Sequence, residues 1–209
     1  METEKFKLAD IFYAIVIPII LVLLIFVLAV YVNVSGTYHV LGQGAIAVIL
    51  TQGFSQMIVL GIPLVIGLLW NKWAGGAAGF IMGGMYYVAS AGLYTGYYTT
   101  YNPPQNFFGD ISMLFYLVNA VIIGYMAGAL TKGSTNFKRM LGAGLTAAIT
   151  VGVLQFVLNY SVSFGAWMTQ GNPGDALFKV MLPMIILGFI GPIIAKVMTW
   201  YGLQPVRHQ

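Results

Sequence analysis

The sequence predicts an all-α integral membrane protein, a bundle of six transmembrane helices with both termini in the cytoplasm. Composition, segment length and the placement of basic residues support this prediction. Of 209 residues, 59% are hydrophobic and 7% are charged, with a mean hydropathy of +0.88. Too few polar residues remain to cover the surface of a soluble domain, so the predicted environment is the lipid bilayer.

Six apolar segments follow one another along the chain. Each is long enough to cross about 30 Å of hydrocarbon at about 1.5 Å per helical residue, and none alternates as a barrel strand does. The first is too long for the apolar part of a usual signal peptide, so we assign it to the mature protein. Residues 1–209 are predicted to form one transmembrane domain. Its helices are predicted at about residues 11–33, 44–70, 74–95, 111–131, 140–160 and 177–200.

The basic residues determine the predicted orientation. With both termini inside, eight of the nine Lys and Arg residues lie on the cytoplasmic side and only Lys179 lies outside. This asymmetry matches the positive-inside rule, and an odd number of crossings would break it. The net charge of +4 reflects this asymmetry, so we predict no nucleic-acid partner.

Small residues recur at helical spacing in the third and fourth segments. Gly75, Gly79 and Gly83 are spaced by four, as are Gly124 and Gly128. Glycines at this interval allow two helix backbones to approach closely. We therefore interpret them as packing positions.

The connection around residues 94–110 contains many rings and amides but no Lys or Arg. We predict that it forms an outer lid over a pocket, with Tyr98, Tyr101 and Asn102 as lid residues. An aromatic belt at the membrane interface is the alternative interpretation of these rings.

Amide side chains inside the apolar segments fall only in the midplane and outer halves. They are costly in hydrocarbon and face either a cavity or a partner helix, so both possibilities stay open. The predicted pocket has no charge at membrane depth, which argues against an ion-coupled transporter and favours a neutral or aromatic ligand. The candidate ligand contacts are Tyr86, Tyr87, Asn119, Gln155, Asn159 and Trp167.

Patterns typical of catalysis are missing from the sequence. It has no Cys, no phosphate-binding glycine loop and no paired His for a metal. We predict a non-enzymatic protein without a cofactor or metal.

The chain resembles the substrate-binding S components of energy-coupling factor (ECF) vitamin transporters. The resemblance lies in the length, the six helices, the stretch IPLVIGLLWNKWAGGAAGFIMGG at residues 62–84, and residues 111–130 ending in IIGYMAGAL. It implies a ligand near the outer surface among the later helices. It also implies partners in other chains, a membrane coupling subunit and two ATPases.

Two alternative functions remain. One is a non-catalytic structural subunit of a larger membrane complex, in which the amides join helices and the outer rings contact neighbouring proteins. The other is a passive channel, which requires polar residues along the inner half as well. Few are present there, mainly Thr146 and Thr150.

Overall fold

The computed structural model describes residues 54–98, 114–161 and 173–202, together with residues 16, 19 and 20. The three long ranges are entirely helical apart from short turns, and they contain no strand. Five helices result: α1 (Phe54–Leu69), α2 (Lys72–Tyr98), α3 (Leu114–Thr131), α4 (Phe137–Ser161) and α5 (Pro173–Trp200). Helix α1 lies within the second predicted segment, and α2 to α5 overlap the third to sixth. The first predicted segment lies almost wholly outside the described residues.

Helices α3 and α5 end at the predicted residues 131 and 200, whereas α2 and α4 begin two and three residues before the predicted starts at 74 and 140. Hydropathy marks only the part of a helix that matches the hydrocarbon, whereas the helix itself continues into the polar interface. Asn71 caps α2 because its Oδ1 accepts a hydrogen bond from the Ala74 N–H at 2.8 Å, and Asn136 caps α4 in the same way through Lys138 N at 3.0 Å. At the other end α2 continues to Tyr98. Tyr98, predicted as a loop residue of the lid, is instead helical.

Three of these helices are long and apolar enough to cross a membrane: Leu114–Thr131, Phe137–Leu158 and Val180–Trp200. A shorter apolar helix covers Met57–Leu69. Of each spanning window, 39% is buried inside the protein, and large apolar side chains such as Val153, Phe189 and Ile193 are exposed. That surface is what the hydrocarbon of a bilayer would cover.

Glycines bring α1, α2 and α3 into backbone contact. A Cβ added at Gly79 would overlap the Ala120 carbonyl, and one at Gly75 would overlap the carbonyl of Gly124. A Cβ at Gly128 would overlap the backbone of Lys72. The packing role predicted for these glycines is therefore confirmed, because no larger residue fits at these positions without moving a helix.

The core lies where α1 meets the other helices. Leu60, Leu64 and Leu68 follow one another at intervals of four and are fully buried, as are Met82 of α2 and Ile123 of α3. Helix α3 packs against α1, α2 and α4, and α5 packs against α4 and α1. This arrangement leaves α3 between α2 and α4, the helices that carry most of the other candidate contacts.

Candidate functional site

Among the side chains that the structure describes, two amides are buried inside the bundle. Asn119 of α3 is 0% exposed and Gln155 of α4 is 5% exposed. The two helices pack against each other. Both residues were candidate ligand contacts in the sequence, and both point into protein and not toward lipid.

The two amides lie toward the same end of the bundle. Helices α3 and α4 are joined by a short turn at residues 132–136 and run antiparallel, so the start of α3 and the end of α4 are at one end. Asn119 lies about 8 Å from Leu114 and Gln155 about 9 Å from Ser161, at about 1.5 Å per residue. This is the end opposite the basic turn between α3 and α4.

Two tyrosine rings form an edge-to-face pair close to Asn119. The Tyr86 and Tyr116 ring centroids are 5.5 Å apart with an interplanar angle of 73°. Tyr116 precedes Asn119 by three residues, and side chains at that spacing are neighbours on a helix surface. Tyr116 was not among the predicted contacts, although its spacing from Asn119 could have indicated it. We call Asn119, Gln155, Tyr86 and Tyr116 the amide–tyrosine group.

The other predicted contacts are only partly described. Tyr87 lies on α2 next to Tyr86 and is half-buried. Asn159 is in the last turn of α4, but its side chain is outside the described part, as is that of Tyr98. Trp167, Tyr101 and Asn102 lie outside the described residues altogether and stay predictions.

Three polar atoms of these amides have no hydrogen-bond partner in the part of the chain that the structure describes. This applies to Nδ2 and Oδ1 of Asn119 and to Oε1 of Gln155. An unpaired buried polar group costs about 1–3 kcal/mol, and such groups are uncommon in native proteins. Two unpaired donors or acceptors on one side chain therefore require an explanation.

A buried hydroxyl at the opposite end of the bundle has a hydrogen-bond partner, as most buried polar groups do. Thr131 is also fully buried, and its Oγ1 donates to the Ala127 carbonyl at 2.7 Å. The described buried polar side chains therefore differ between the two ends of the bundle. Thr131, near the basic turn, has a hydrogen-bond partner, whereas Asn119 and Gln155 at the other end have polar atoms without one.

The amide–tyrosine group carries no charge of its own. The Lys and Arg side chains that the structure describes all lie at the other end of the bundle, and it describes no Asp or Glu side chain. Asparagine offers both a donor and an acceptor, and the Gln155 oxygen adds another acceptor. Such a set can bind a neutral molecule by hydrogen bonds and aromatic contacts.

We compared the chain with protein families, curated proteins and solved structures. No family model, curated protein or solved structure matches the chain.

Proposed function

We propose that this chain is a membrane-embedded substrate-capture subunit for the uptake of a small neutral or aromatic nutrient, such as a vitamin or its precursor. The observation that carries the proposal is Asn119, whose amide is completely buried while both of its polar atoms lack a hydrogen-bond partner among the described residues. A ligand that accepts from Nδ2 and donates to Oδ1 would satisfy both atoms and remove the cost of burying them.

The surroundings of Asn119 indicate the chemical class of the ligand. The absence of charge among the described side chains of this end disfavours an ionic ligand, because an ion would be buried without a counter-ion. The edge-to-face pair of Tyr86 and Tyr116 offers ring surface for aromatic contact. The ligand we propose is a flat or ring-bearing molecule with both a donor and an acceptor.

The proposal includes six membrane crossings with both termini in the cytoplasm, and with the amide–tyrosine group in the outer half. Three spanning helices and the grouping of basic residues at one end support it. The ligand would then be taken up from outside the cell.

The resemblance to ECF S components supplies the proposed partners. In such an arrangement a membrane coupling subunit and ATPases in other chains would drive release of the ligand to the cytoplasm. Within the described chain, the resemblance rests on the proline-containing α1 followed by the glycine-rich α2.

A structural subunit of a larger membrane complex is the second candidate, and one observation favours it. Gly142, Thr146 and Thr150 are exposed on α4 at intervals of four, and a Cβ added at Gly142 would meet nothing. Small residues at this spacing are typical of a face on which another transmembrane helix packs. In that case neighbouring proteins would copurify with the chain and no small ligand would stabilise it.

A thermal-unfolding screen of the detergent-purified chain against vitamins and their precursors tests the capture function. A ligand present at a hundred times its dissociation constant and bound only to the folded state adds about 2.7 kcal/mol of stability. We expect one compound or one close chemical series to raise the melting temperature. No shift with any compound, together with copurifying membrane proteins, would favour the structural subunit.

A matched pair of variants connects that shift to the proposed site. Gln155→Leu should weaken the response to the active compound, because it removes the unpaired Oε1. Thr131→Val removes a buried hydroxyl at the opposite end, so its response should equal that of the wild type. Equal responses of wild type and both variants would exclude Gln155 from the site.

A further inference from the structure

The end of the bundle opposite the amide–tyrosine group is strongly basic. The structure describes five Lys and Arg side chains, and all five are there. We call this set the basic end: Lys72, Lys132, Lys138, Arg139 and Lys196. No acidic side chain is among those that the structure describes. This end therefore carries an excess positive charge that the described part of the chain does not neutralise.

Contacts between the helix ends hold these residues together. The Lys72 backbone packs on Gly128, whose carbonyl accepts a hydrogen bond from Lys132 N at 3.1 Å. On the other side of the turn, Lys196 Nζ donates to the Thr135 carbonyl at 2.9 Å. The start of α2, the α3–α4 turn and the end of α5 thus form one continuous surface.

Several of the cationic groups are held in position. The Lys72 Nζ atom is 5.5 Å from the centre of the Trp73 ring and 6.0 Å from that of Tyr125. The two rings are 5.7 Å apart and edge to face. Arg139 Nε donates to the Leu130 carbonyl at 3.3 Å. These contacts orient the cations but bring no negative charge to them.

Large apolar and aromatic side chains surround the basic end. Trp73, Trp200 and Tyr201 are each more than 60% exposed, and Leu130 and Phe137 are exposed beside the turn. Tryptophan and tyrosine favour the depth of lipid headgroups, with apolar side chains one layer deeper. The combination matches a molecule that has an anionic head and a hydrocarbon tail.

We propose that the basic end binds acidic phospholipids of the membrane leaflet that it faces, through the phosphate of the headgroup. Lys132 and Lys138 are exposed on the α3–α4 turn and would contact the phosphate, with Arg139 and Lys72 at its sides. An acidic protein surface would satisfy the same charges but would leave the adjacent rings and apolar side chains uncovered. A lipid covers both, which is why we favour it.

Native mass spectrometry of the full chain in detergent tests the proposal, with dioleoylphosphatidylglycerol and dioleoylphosphatidylcholine as probes. Phosphatidylglycerol should remain bound in preference to phosphatidylcholine. Each basic residue near a membrane surface contributes about a fivefold preference for acidic lipid (about 1 kcal/mol), so the double variant Lys132→Gln, Lys138→Gln should lose about 25-fold of the preference. Lys132→Arg, Lys138→Arg should keep the preference.

Lys179→Gln is the matched control. It removes one charge from α5 at a position 17 residues before Lys196, about 25 Å away along the helix, and should leave lipid binding unchanged. Thermal unfolding of each variant shows whether it remains folded.

Three results would overturn the proposal. The first is equal retention of the two lipids by the wild type. The second is an unchanged preference in the folded Lys132→Gln, Lys138→Gln variant. The third is displacement of the lipid by inorganic phosphate, or by soluble polyglutamate, at an equal concentration of negative charge, which would identify a free anion or an acidic protein as the ligand. Failure of this experiment leaves the capture function unaffected, because the two sites lie at opposite ends.

Discussion

Replacing Asn119 by Leu should stabilise the protein in the absence of ligand. Most substitutions of a fully buried residue destabilise, so the expected sign is unusual. It follows from the two polar atoms of the amide that have no partner in the described chain, because Leu has no polar atom to bury and its extra volume offsets only part of that gain. The same substitution should weaken ligand binding, because it removes the donor and the acceptor that we assign to the ligand.

The magnitude can be worked out from the burial of this side chain. Two unpaired atoms at about 1–3 kcal/mol each cost about 2–6 kcal/mol together. Leucine is bulkier than asparagine, and overpacking costs about 1–3 kcal/mol, so the net change lies between a loss of about 1 kcal/mol and a gain of about 5 kcal/mol, with a central value of about 2 kcal/mol gained. In a chain of this length, 1 kcal/mol corresponds to about 2–4 °C in melting temperature.

The ligand response should change in the opposite direction. If the variant binds tenfold more weakly, a ligand at a hundred times the wild-type dissociation constant adds about 1.4 kcal/mol instead of about 2.7 kcal/mol. Thermal unfolding in one detergent, with and without the active compound, measures both quantities. Asn119→Val repeats the test with a smaller side chain, and Thr131→Val controls for the loss of a paired buried polar group.

A lower melting temperature of both Asn119 variants without ligand, combined with an unchanged ligand shift, would refute the reasoning. It would mean that the amide has a structural hydrogen-bond partner in the intact protein. Asn119 would then join helices, as the alternative interpretation of the sequence holds.

Three further predictions concern packing and topology. Gly79→Ala should destabilise the bundle by about 1–3 kcal/mol because its Cβ overlaps the α3 backbone, whereas Gly142→Ala should be neutral or stabilising by up to about 1 kcal/mol; equal effects in thermal unfolding would contradict the assigned packing. Met82→Ala should cost about 2–5 kcal/mol, since the side chain is fully buried, and a smaller loss would indicate that the site collapses. The chain has no Cys, so Ser134→Cys and Asn102→Cys each give it a single thiol that can be labelled in intact cells. An impermeant maleimide should modify the second variant and spare the first, and the reverse pattern would invert the proposed orientation.

The helical character of the described chain could be predicted because it depends on properties local to the sequence. Apolar segments of the right length and glycines at intervals of four indicate helices that pack closely, and the structure shows Gly75 and Gly79 against α3. The starts of α2 and α4 were predicted less accurately. Capping side chains such as Asn71 and Asn136 extend helices beyond their hydrophobic part, and hydropathy does not detect them.

From the sequence, the candidate site could be predicted only as a set of amides and aromatic rings at a similar depth in the membrane, without their contacts. An amide in a hydrophobic segment is costly, so the sequence by itself determined that Asn119 and Gln155 need either partners or a ligand. Only the tertiary structure decided which atoms of the two side chains lack partners in the described chain, and that the Tyr86 ring meets Tyr116. The physical reason is that hydropathy and helical spacing are properties of neighbouring residues along one segment, whereas hydrogen bonding and ring contact depend on which helix faces meet.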